Sequence, residues 1–461
     1  MTYPMNKESK SLDESPTQKL LSNSWRTDIN GWVWMHLQGD NYRMGFQNGY
    51  LLANEICETV KSLRLYVQNA YNRDWKFFRE TGMRLYWPKI PEEFKAEIRG
   101  VVDGVQARKI AGIDLSDIVG LNGFFDSVSY HCSLKAEEGQ VARGEEHCSA
   151  FIATGKATKG ENIVVAHNSW FSYMYAAGYN VIIGISPTTG NEFLMQALPG
   201  TIHSGSDWYI NNSGVIVTET TITGMNTFNR QGTPIFVRAR KAIQYGNTLD
   251  EWVKIMIEGN NGGYASDWLI GDVKTGEIAC LELGTFNHRL DRTFNGIFFG
   301  SNIAMNEKVR SETVIDHNDR SSSCMARQDR WKQLTKAGRE PIDVEDAKRF
   351  LADHQDSYSG SNMPNRNSIC GHIELDNRGW PEWDEGPYYP AGAHDGKVTD
   401  SELASKGAFW AHWGHPCDMP FVADSFLTKH PEYNWQKSRL KNIKPYPWTM
   451  FETYPKWTTK D

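Results

Sequence analysis

The chain has 461 residues, with 49 basic and 56 acidic side chains and a net charge of −7. Lys and Arg are not concentrated in any stretch as they are on a nucleic-acid-binding surface, so we expect no nucleic-acid partner. The hydrophobic fraction of 39%, together with 17 Trp, 19 Tyr and 20 Phe, excludes a disordered protein and predicts a globular one with a sizeable core.

Targeting signals and cysteine usage bear on the compartment. The first 25 residues are polar and charged and lack the apolar run of a secretory signal. No window approaches the roughly 18 consecutive apolar residues of a transmembrane helix. These observations predict a cytoplasmic protein without an integral membrane segment. An odd number of cysteines without CxxC pairs predicts free thiols, at Cys57, Cys132, Cys148, Cys280, Cys324, Cys370 and Cys417.

The first third of the chain is predicted to be mainly helical. Residues 1–28 are interpreted as a polar N-terminal arm, and residues 31–39 alternate large and polar side chains as a strand does. In the region that follows, apolar residues recur every three or four positions, and Gly45 and Gly49 form a small-residue face. Helices are predicted over about 41–66 and 91–111, and another from 113.

A polar, glycine-containing segment at 135–146 is typical of an exposed loop and ends just before Cys148. We place a boundary there, between a mainly helical part at 29–147 and a body at 148–461. Apolar runs separated by turn signals predict successive antiparallel strands at 149–153, 162–166, 179–185, 192–197, 208–223 and 268–283. Helices are predicted at 233–245, 249–258, 325–336 and 344–354. Strands between helices indicate an α+β fold.

Cys148 is the first candidate for chemistry. It opens the predicted strand Cys148-Ser-Ala-Phe-Ile-Ala directly after the loop that ends at His147. A thiol in that position emerges at the edge of a sheet, which suits a nucleophile. By residue type alone a buried structural cysteine is the more common interpretation, so the surrounding segments decide.

The segments around Cys148 occur in a characteristic order. Cys148-Ser-Ala is followed by Val165-Ala-His-Asn-Ser-Trp170, Pro199-Gly-Thr-Ile and Asn212-Ser-Gly-Val-Ile-Val-Thr-Glu-Thr-Thr-Ile222. In order and spacing these segments resemble the core of the phospholipase B-like proteins. The opening segment Gly31-Trp-Val-Trp-Met-His-Leu-Gln-Gly is similar to the start of their bacterial relatives and of isopenicillin-N acyltransferase-like peptidases. The resemblance covers most of the chain.

The resemblance implies an N-terminal-nucleophile (Ntn) hydrolase fold, an αββα sandwich of two stacked antiparallel sheets flanked by helices. It also implies a precursor that cuts its own His147–Cys148 bond. The thiol attacks the preceding carbonyl, an N-to-S acyl shift forms a thioester, and hydrolysis exposes the α-amino group of Cys148. That amine, with an unperturbed pKa of roughly 7.7–8.0, then serves as the base for the thiol. The continuous helix pattern before Cys148 predicts that the N-terminal fragment stays bound after cleavage, and its loss is the alternative.

Further site residues follow from the same resemblance. His167 matches a residue that orients or tunes the thiol, and Asn168 and Trp170 are expected to line the substrate site. Asn302, in Ser301-Asn-Ile, matches an asparagine whose amide stabilises an oxyanion, an interaction worth on the order of 3 kcal/mol. One of two arginines on the helix that follows is expected to point inward: Arg327 or Arg330.

The strand before Ile222 offers a choice of faces. Side chains alternate along a strand, so Glu219 and Thr221 lie on one face, and Thr218 and Thr220 lie on the other. Only one of these pairs can face the site. Thr221 is the favoured residue and Thr220 is the alternative.

A second concentration of His and Cys lies nearer the C-terminus. The run His412-Trp-Gly-His415-Pro-Cys417 contains three potential ligands, and Cys370-Gly-His372 and His394-Asp395 precede it. Such residues can ligate Zn²⁺, but neither a paired CxxC nor an HExxH frame is present. We interpret the cluster as a structural loop, and we expect no metal and no other cofactor. The run at 259–263 lacks the Lys-Ser/Thr of a phosphate loop.

The sequence therefore predicts a self-processing hydrolase or acyltransferase that cleaves linear amides or carboxylic esters of small molecules or lipids through an acyl-Cys148 intermediate. Two alternatives remain open. A catalytically silent binding protein of the same fold would not be labelled at Cys148 by acyl-type inhibitors. A papain-like thiol hydrolase would keep an intact chain. A homo-oligomer is compatible with each of these functions.

Overall fold

A computed structural model describes residues 15–140, 147–336, 340–381 and 385–457. Residues 1–14 of the predicted N-terminal arm and residues 141–146 of the predicted loop lie outside these ranges. The described helices are α1 Pro16–Leu21, α2 Asn41–Leu51, α3 Ala53–Ala70, α4 Trp75–Thr81, α5 Glu92–Ala107, α6 Leu115–Asn122, α7 Phe124–Glu137, α8 Tyr173–Ala176, α9 Ile235–Tyr245, α10 Leu249–Ile257, α11 Glu307–Arg310, α12 Ser323–Leu334, α13 Val344–Leu351, α14 Ser401–Ser405 and α15 Ala423–Lys429.

The strands occur mostly in consecutive runs between groups of helices. They are β1 Trp25–Ile29, β2 Trp32–Gly39, β3 His147–Thr154, β4 Val164–Ser172, β5 Val181–Pro187, β6 Phe193–Ala197, β7 Trp208–Asn211, β8 Val215–Thr221, β9 Ser266–Asp272, β10 Glu277–Leu283, β11 His288–Thr293, β12 Gly296–Gly300, β13 Ala391–Ala393, β14 Asp395–Asp400, β15 Ala408–Trp413 and β16 Thr449–Glu452.

Several predicted boundaries are wrong because tight turns do not interrupt an apolar pattern. The helix predicted over 41–66 is two helices that meet at Leu52. The strand predicted over 208–223 is the hairpin β7–β8, which turns at Gly214 with φ +85°. The strand predicted over 268–283 is likewise a hairpin, β9–β10. Within the predicted arm, β1 pairs with β2 along its whole length.

The described strands form two sheets. The first has the order β1-β2-β5-β6-β7-β8-β9-β10-β11, and the second has the order β12-β3-β4-β14-β15-β16, with β13 also paired to β4. All pairs are antiparallel except β2 with β5. This parallel pair departs from the antiparallel expectation. It is possible because a long connection containing α2 to α7 separates the two strands and lets the chain cross over.

The two sheets pack against each other through alternate residues of their strands. In the second sheet, Ala150 and Ile152 of β3 belong to a buried cluster that also contains Ile182 of β5 and Ile216 of β8 from the first sheet. The intervening side chains belong to other clusters. A strand buried on both faces is hydrophobic at consecutive positions, and β3 shows this pattern.

Helices cover the outer faces. Val181 and Ile183 of β5 pack in a cluster with residues of α2 to α7, α9 and α10. On the other side, Phe151 of β3 packs with Trp331 of α12 and Phe350 of α13. The predicted α+β class is therefore confirmed. Among the described helices, none has the length and apolar character needed to cross a membrane.

Candidate active site

Cys148 is the second residue of β3 and is paired with Ser169 of β4. Its side chain is fully buried. Burial raises the pKa of the thiol well above its usual value, and the nearby carboxyl group of Glu219 raises it further. In the intact chain Cys148 is therefore a neutral thiol.

Two side chains hold the main chain of Cys148. Its N–H donates to Oδ1 of Asn302 at 3.3 Å, and its carbonyl oxygen accepts from Nη1 of Arg327 at 2.7 Å. Asn302 follows β12 with φ +68°, a left-handed conformation that Asn tolerates better than most residues. Its Nδ2 donates to the carbonyl oxygen of Thr221 at 2.8 Å. Asn302 thus connects β3 to the end of β8.

Arg327, on α12, is buried and extensively hydrogen-bonded. Its Nη2 donates to Oδ1 of Asn302 at 2.9 Å, its Nη1 also reaches Oγ of Ser149 at 3.1 Å, and its guanidinium lies 4.4 Å from the ring centre of Trp170. Arg330, three residues further on, instead forms an ion pair with Asp353 at 2.6 Å. Of the two predicted arginines, only Arg327 contacts the main chain around Cys148.

Asn168 organises the second strand of the site. Its Oδ1 accepts from the N–H of Ser149 and from Nε1 of Trp170, both at 3.1 Å. Its Nδ2 donates to the carbonyl oxygen of Ile369 at 2.9 Å. Asn168 therefore ties β3 and Trp170 to the loop before β13. Both polar atoms of its side chain are hydrogen-bonded within the protein.

His167 and Glu219 lie around the thiol. A ring nitrogen of His167, a carboxylate oxygen of Glu219 and Sγ of Cys148 are all within 4.8 Å of one another. Burial lowers the pKa of His167 well below its usual value, so the imidazole is neutral. Burial also raises the pKa of Glu219 to about 7. These three groups are of types that can exchange protons, and they can also ligate a metal.

Both threonine candidates lie at the end of β8, but they contact different groups. The hydroxyl of Thr221 donates to Oε2 of Glu219 at 3.4 Å, so Thr221 shares the Glu219 side of the strand. The side chain of Thr220 packs directly over Gly300 of β12, where it occupies the space that a Cβ would need. The pairing of Glu219 with Thr221 is the one that alternation predicts.

A buried ion pair on β14 was not predicted from the sequence. Nζ of Lys397 lies 3.0 Å from both carboxylate oxygens of Asp395 and donates to Oγ of Ser169 at 2.6 Å. Burial favours the protonated form of Asp395, but the neighbouring charges, first that of Lys397, hold its pKa at about 2. Lys397 is paired with His167 across the strands. Asp395 and Lys397 lie two positions apart on β14, so strand alternation places both side chains on the same face.

The second His and Cys concentration is divided by the fold. Ligand atoms of Cys370, His372 and Cys417 lie together with one from His354, all four within 4.8 Å of one another. His412 lies outside that group, with Nε2 2.9 Å from the carbonyl oxygen of His415. His415 packs on His372, and His394 packs on Phe171.

Open cavities lie elsewhere on the surface. One lies among α3, α4 and α6 and is lined by Arg64, Trp75 and Arg79, and another is lined by Arg26, Tyr50 and Arg108. Neither of these two cavities is lined by any of the residues around Cys148. The side chains of Cys148, His167 and Glu219 are fully buried, so the candidate site is enclosed.

Comparisons with known proteins agree with the order of the motifs. The phospholipase B family model matches residues 33–282. Phospholipase B of Crotalus adamanteus is 27% identical over 338 residues, covering 64% of this chain and 58% of the snake protein. Phospholipase-B 81 of Drysdalia coronoides is 24% identical over 485 residues, covering 87% of this chain and 82% of that protein. Phospholipase B-like 1 of Homo sapiens is 29% identical over 158 residues, 32% of this chain and 26% of the human protein. The matches thus span less than two thirds of the Crotalus and human relatives.

Proposed function

This chain belongs to the phospholipase B family, and on that premise we propose that it is a self-processing hydrolase or acyltransferase that cleaves amide or ester acyl bonds through an acyl-Cys148 intermediate. The enclosure of the Cys148 main chain carries the proposal: Asn302 accepts from its N–H, and Arg327 donates to its carbonyl oxygen. Both main-chain groups lie where β3 runs past the end of its pairing with β12, so side chains take the place of a strand partner. We propose that these side chains position the backbone of a nucleophile whose own amine is the base.

Self-cleavage at His147–Cys148 is the first step of the proposal. The thiol of Cys148 adds to the carbonyl carbon of His147, the C–N bond breaks, and the nitrogen leaves as an amine that carries the thiol proton. Water then hydrolyses the thioester, which releases the carboxylate of His147 and restores the thiol. The balance is one water consumed for one peptide bond broken. The neutral imidazole of His167 has a ring nitrogen within 4.8 Å of Cys148 Sγ and is the proposed proton carrier.

Acyl transfer uses the groups that cleavage exposes. The new α-amine, with an unperturbed pKa of roughly 7.7–8.0, takes the thiol proton as the sulfur attacks the substrate carbonyl. The leaving alcohol or amine takes that proton, and water or an acceptor amine then attacks the thioester. The amide of Asn302 is the proposed donor to the oxyanion, and Arg327 keeps Asn302 in place through the hydrogen bond to Oδ1.

The fold and the domain organisation support the same mechanism. We propose that the two packed sheets and their helical covers are the αββα sandwich of an Ntn hydrolase. We also propose that 29–147 and 148–461 are two fragments of one composite domain after cleavage, because β2 from the first fragment pairs with β5 from the second.

The proposed substrates are acyl lipids and linear acyl amides. The Crotalus and Drysdalia relatives are named phospholipases B, which supports a carboxylic ester of a lipid. The chemistry of an acyl-thioester accepts either an ester or an amide as donor, because both deliver the same acyl group to sulfur. Because the Cys148 side chain is fully buried in the intact chain, we propose that substrate reaches it only after the His147–Cys148 bond has been cut.

Intact-mass analysis under denaturing conditions tests the proposal. Wild type, Cys148→Ala and Cys132→Ala are incubated at mildly acidic and neutral pH; Cys132 is a buried free cysteine of α7 and serves as the matched control. We expect two fragments that meet at His147/Cys148 in wild type and in Cys132→Ala, and a single chain in Cys148→Ala.

The cleaved protein is then mixed with a lysophospholipid or a fatty acyl amide and quenched in acid. The expected product is a C-terminal fragment heavier by one acyl group, with the addition on Cys148. An intact wild-type chain would contradict self-processing and favour the thiol-hydrolase alternative. A cleaved chain that releases no fatty acid and acquires no acyl group would favour the silent binding protein.

A further inference from the structure

Four potential metal ligands converge outside the proposed active site. His354 lies just after α13, Cys370 and His372 lie in the loop that precedes β13, and Cys417 lies just after β15. One ligand atom from each lies within 4.8 Å of every other. Cys370 and His372 are fully buried, whereas His354 and Cys417 are partly exposed. The cluster therefore joins distant segments and has one side open to solvent.

The distances between these atoms suit a tetrahedral ion. Nε2 of His372 lies 3.6 Å from Sγ of Cys370 and 3.4 Å from Sγ of Cys417. With Zn–S bonds of about 2.3 Å and Zn–N bonds of about 2.0–2.1 Å, the S to N edge of a tetrahedron is about 3.6 Å. Two cysteines and two histidines are also the ligand set that Zn²⁺ takes in many structural sites.

The hydrogen bonding of His372 orients its ring as a metal ligand requires. Nδ1 of His372 is bonded to Oε1 of Glu374 at 2.8 Å, and the other oxygen of Glu374 accepts from the hydroxyl of Tyr173 at 2.8 Å. A carboxylate only accepts, so Nδ1 carries a proton and Nε2 is the ring nitrogen that faces the two sulfurs. An imidazole whose Nδ1 proton is held in this way binds a metal ion through Nε2. The Glu374–His372 pair has the form of the carboxylate–histidine pairs that orient metal ligands.

We propose that His354, Cys370, His372 and Cys417 form a structural Zn²⁺ site. Binding releases the two thiol protons, so two thiolates and two neutral imidazoles surround a dication and the complex has no net charge. A neutral complex avoids the cost of an isolated charge at the buried Cys370 and His372. All four positions being filled by protein also leaves no place for substrate, which separates this site from a catalytic one.

The position of the site in the fold indicates what the ion stabilises. The loop that carries Cys370 and His372 also supplies the carbonyl oxygen of Ile369 to Asn168, and Gly371 packs against the ring of Trp170. Asn168 and Trp170 in turn support Ser149 and Arg327. An ion that ties this loop to Cys417 and His354 would restrict the motion of Asn168 and Trp170, and so of the region around Cys148.

Metal content and thiol state test the site on the full chain. The protein is expressed without a histidine tag in zinc-supplemented medium, purified under reducing conditions without chelator, and analysed by elemental mass spectrometry. We expect about one zinc per chain in wild type and in Cys280→Ser, a control at a free cysteine of β10. We expect less than a tenth of that amount in the double variant Cys370→Ser/Cys417→Ser.

A second measurement does not depend on the folding of the double variant. Wild type is stripped by a chelator and titrated with Co²⁺, whose tetrahedral dithiolate complex gives intense visible bands and a sulfur-to-cobalt charge-transfer band. We expect saturation at about one equivalent. Absence of zinc and of these bands would overturn the proposal, as would zinc retained by the double variant. A Cys370–Cys417 disulfide would overturn it too. Such a disulfide would be seen as a mass deficit of two hydrogens in protein freshly purified under reducing conditions.

Discussion

Arg327 joins several of the buried polar groups around Cys148. Its guanidinium reaches the carbonyl oxygen of Cys148, Oγ of Ser149 and Oδ1 of Asn302, and its Nε donates to Oγ of Ser323. The fixed fork of a guanidinium can bond several acceptors in one plane while it stacks on a ring, and an ammonium group cannot reproduce this geometry. An acceptor left without a donor in a buried site costs about 1–3 kcal/mol.

We therefore predict that Arg327→Lys slows self-cleavage by at least tenfold, because Cys148 and Asn302 lose their shared donor. Arg330→Ala is the matched control one turn further along α12, where a partly exposed ion pair with Asp353 is removed. It should change the rate less than twofold. Fragment formation followed by denaturing electrophoresis measures both rates. Equal rates for the two variants would refute the assigned role of Arg327.

Glu219 gives the site a dependence on pH. Burial raises its pKa from 4.5 to about 7, and burial together with Glu219 raises the pKa of the neighbouring Asp207 well above its usual value. The fold thus favours the protonated form of Glu219. The stabilisation of the folded state by protonated Glu219 is complete below about pH 4.5 and is lost as the pH rises through about 7.

Glu219→Gln keeps the shape of the side chain and cannot ionise. We predict that, in a Cys148→Ala background, the free energy of unfolding of this variant relative to its parent rises by on the order of 2 kcal/mol between pH 5 and pH 8. Urea unfolding at both pH values gives the comparison. Glu402→Gln, at an exposed ion pair with Lys406, is the control and should show no such gain. A constant difference between pH 5 and pH 8 would contradict the raised pKa.

At the scale of elements, the crossing of α2 and α5 depends on glycines in both helices. A Cβ on Gly45 would overlap the carbonyl of Glu97, and a Cβ on Gly49 would overlap the carbonyl of Val101. From the other side, a Cβ on Gly104 would overlap the backbone of α2. The two backbones touch, so the small-residue face predicted on α2 is the contact face. Backbone atoms cannot rotate out of the way as side chains can.

Gly49→Ala should therefore destabilise the protein even though alanine has the higher helix propensity. The expected loss is about 1–3 kcal/mol, the usual cost of forcing extra volume into a packed interface. Gly386→Ala is the control, because its new Cβ would meet only the hydroxyl oxygen of Tyr433 at 3.4 Å. Urea unfolding of both variants measures the change in the free energy of unfolding. Stabilisation by Gly49→Ala would show that the helices can separate without cost.

At the scale of the whole molecule, the part of the chain before Cys148 is built into the fold. β1 and β2 form one edge of the nine-stranded sheet, and β2 pairs with β5 over Val33–Gly39. Val60 and Phe94, on α3 and α5, lie in the same core cluster as Ile183 of β5. Removal of this part would expose that cluster to water at about 25 cal/mol per Å² of apolar surface.

We therefore predict that cleaved protein stays together under native conditions. After complete processing, size-exclusion chromatography should give one peak with the elution volume of Cys148→Ala, and both fragments should be found in it. In denaturant the same sample should give two components. Separation into two native peaks would mean that the N-terminal part is a dispensable propeptide, contrary to the sheet pairing.

Local patterns determined much of this protein. Alternation placed Glu219 and Thr221 on one side of their strand, and apolar periodicity found most helices, because both are properties of neighbouring residues. The order of the motifs around Cys148 identified the family. Tight turns such as that at Gly214 were not predicted, because a short hairpin leaves an apolar run unbroken.

Only the tertiary structure decided which of these residues meet. Arg327 and Arg330 lie three positions apart on neighbouring parts of one helix face, so periodicity could not choose between them. Lys397 reaches Ser169, and Cys370 and His372 reach His354 and Cys417, across long stretches of chain. Such contacts are set by how strands and loops pack, and the spacing of residues along one strand or loop carries no information about them.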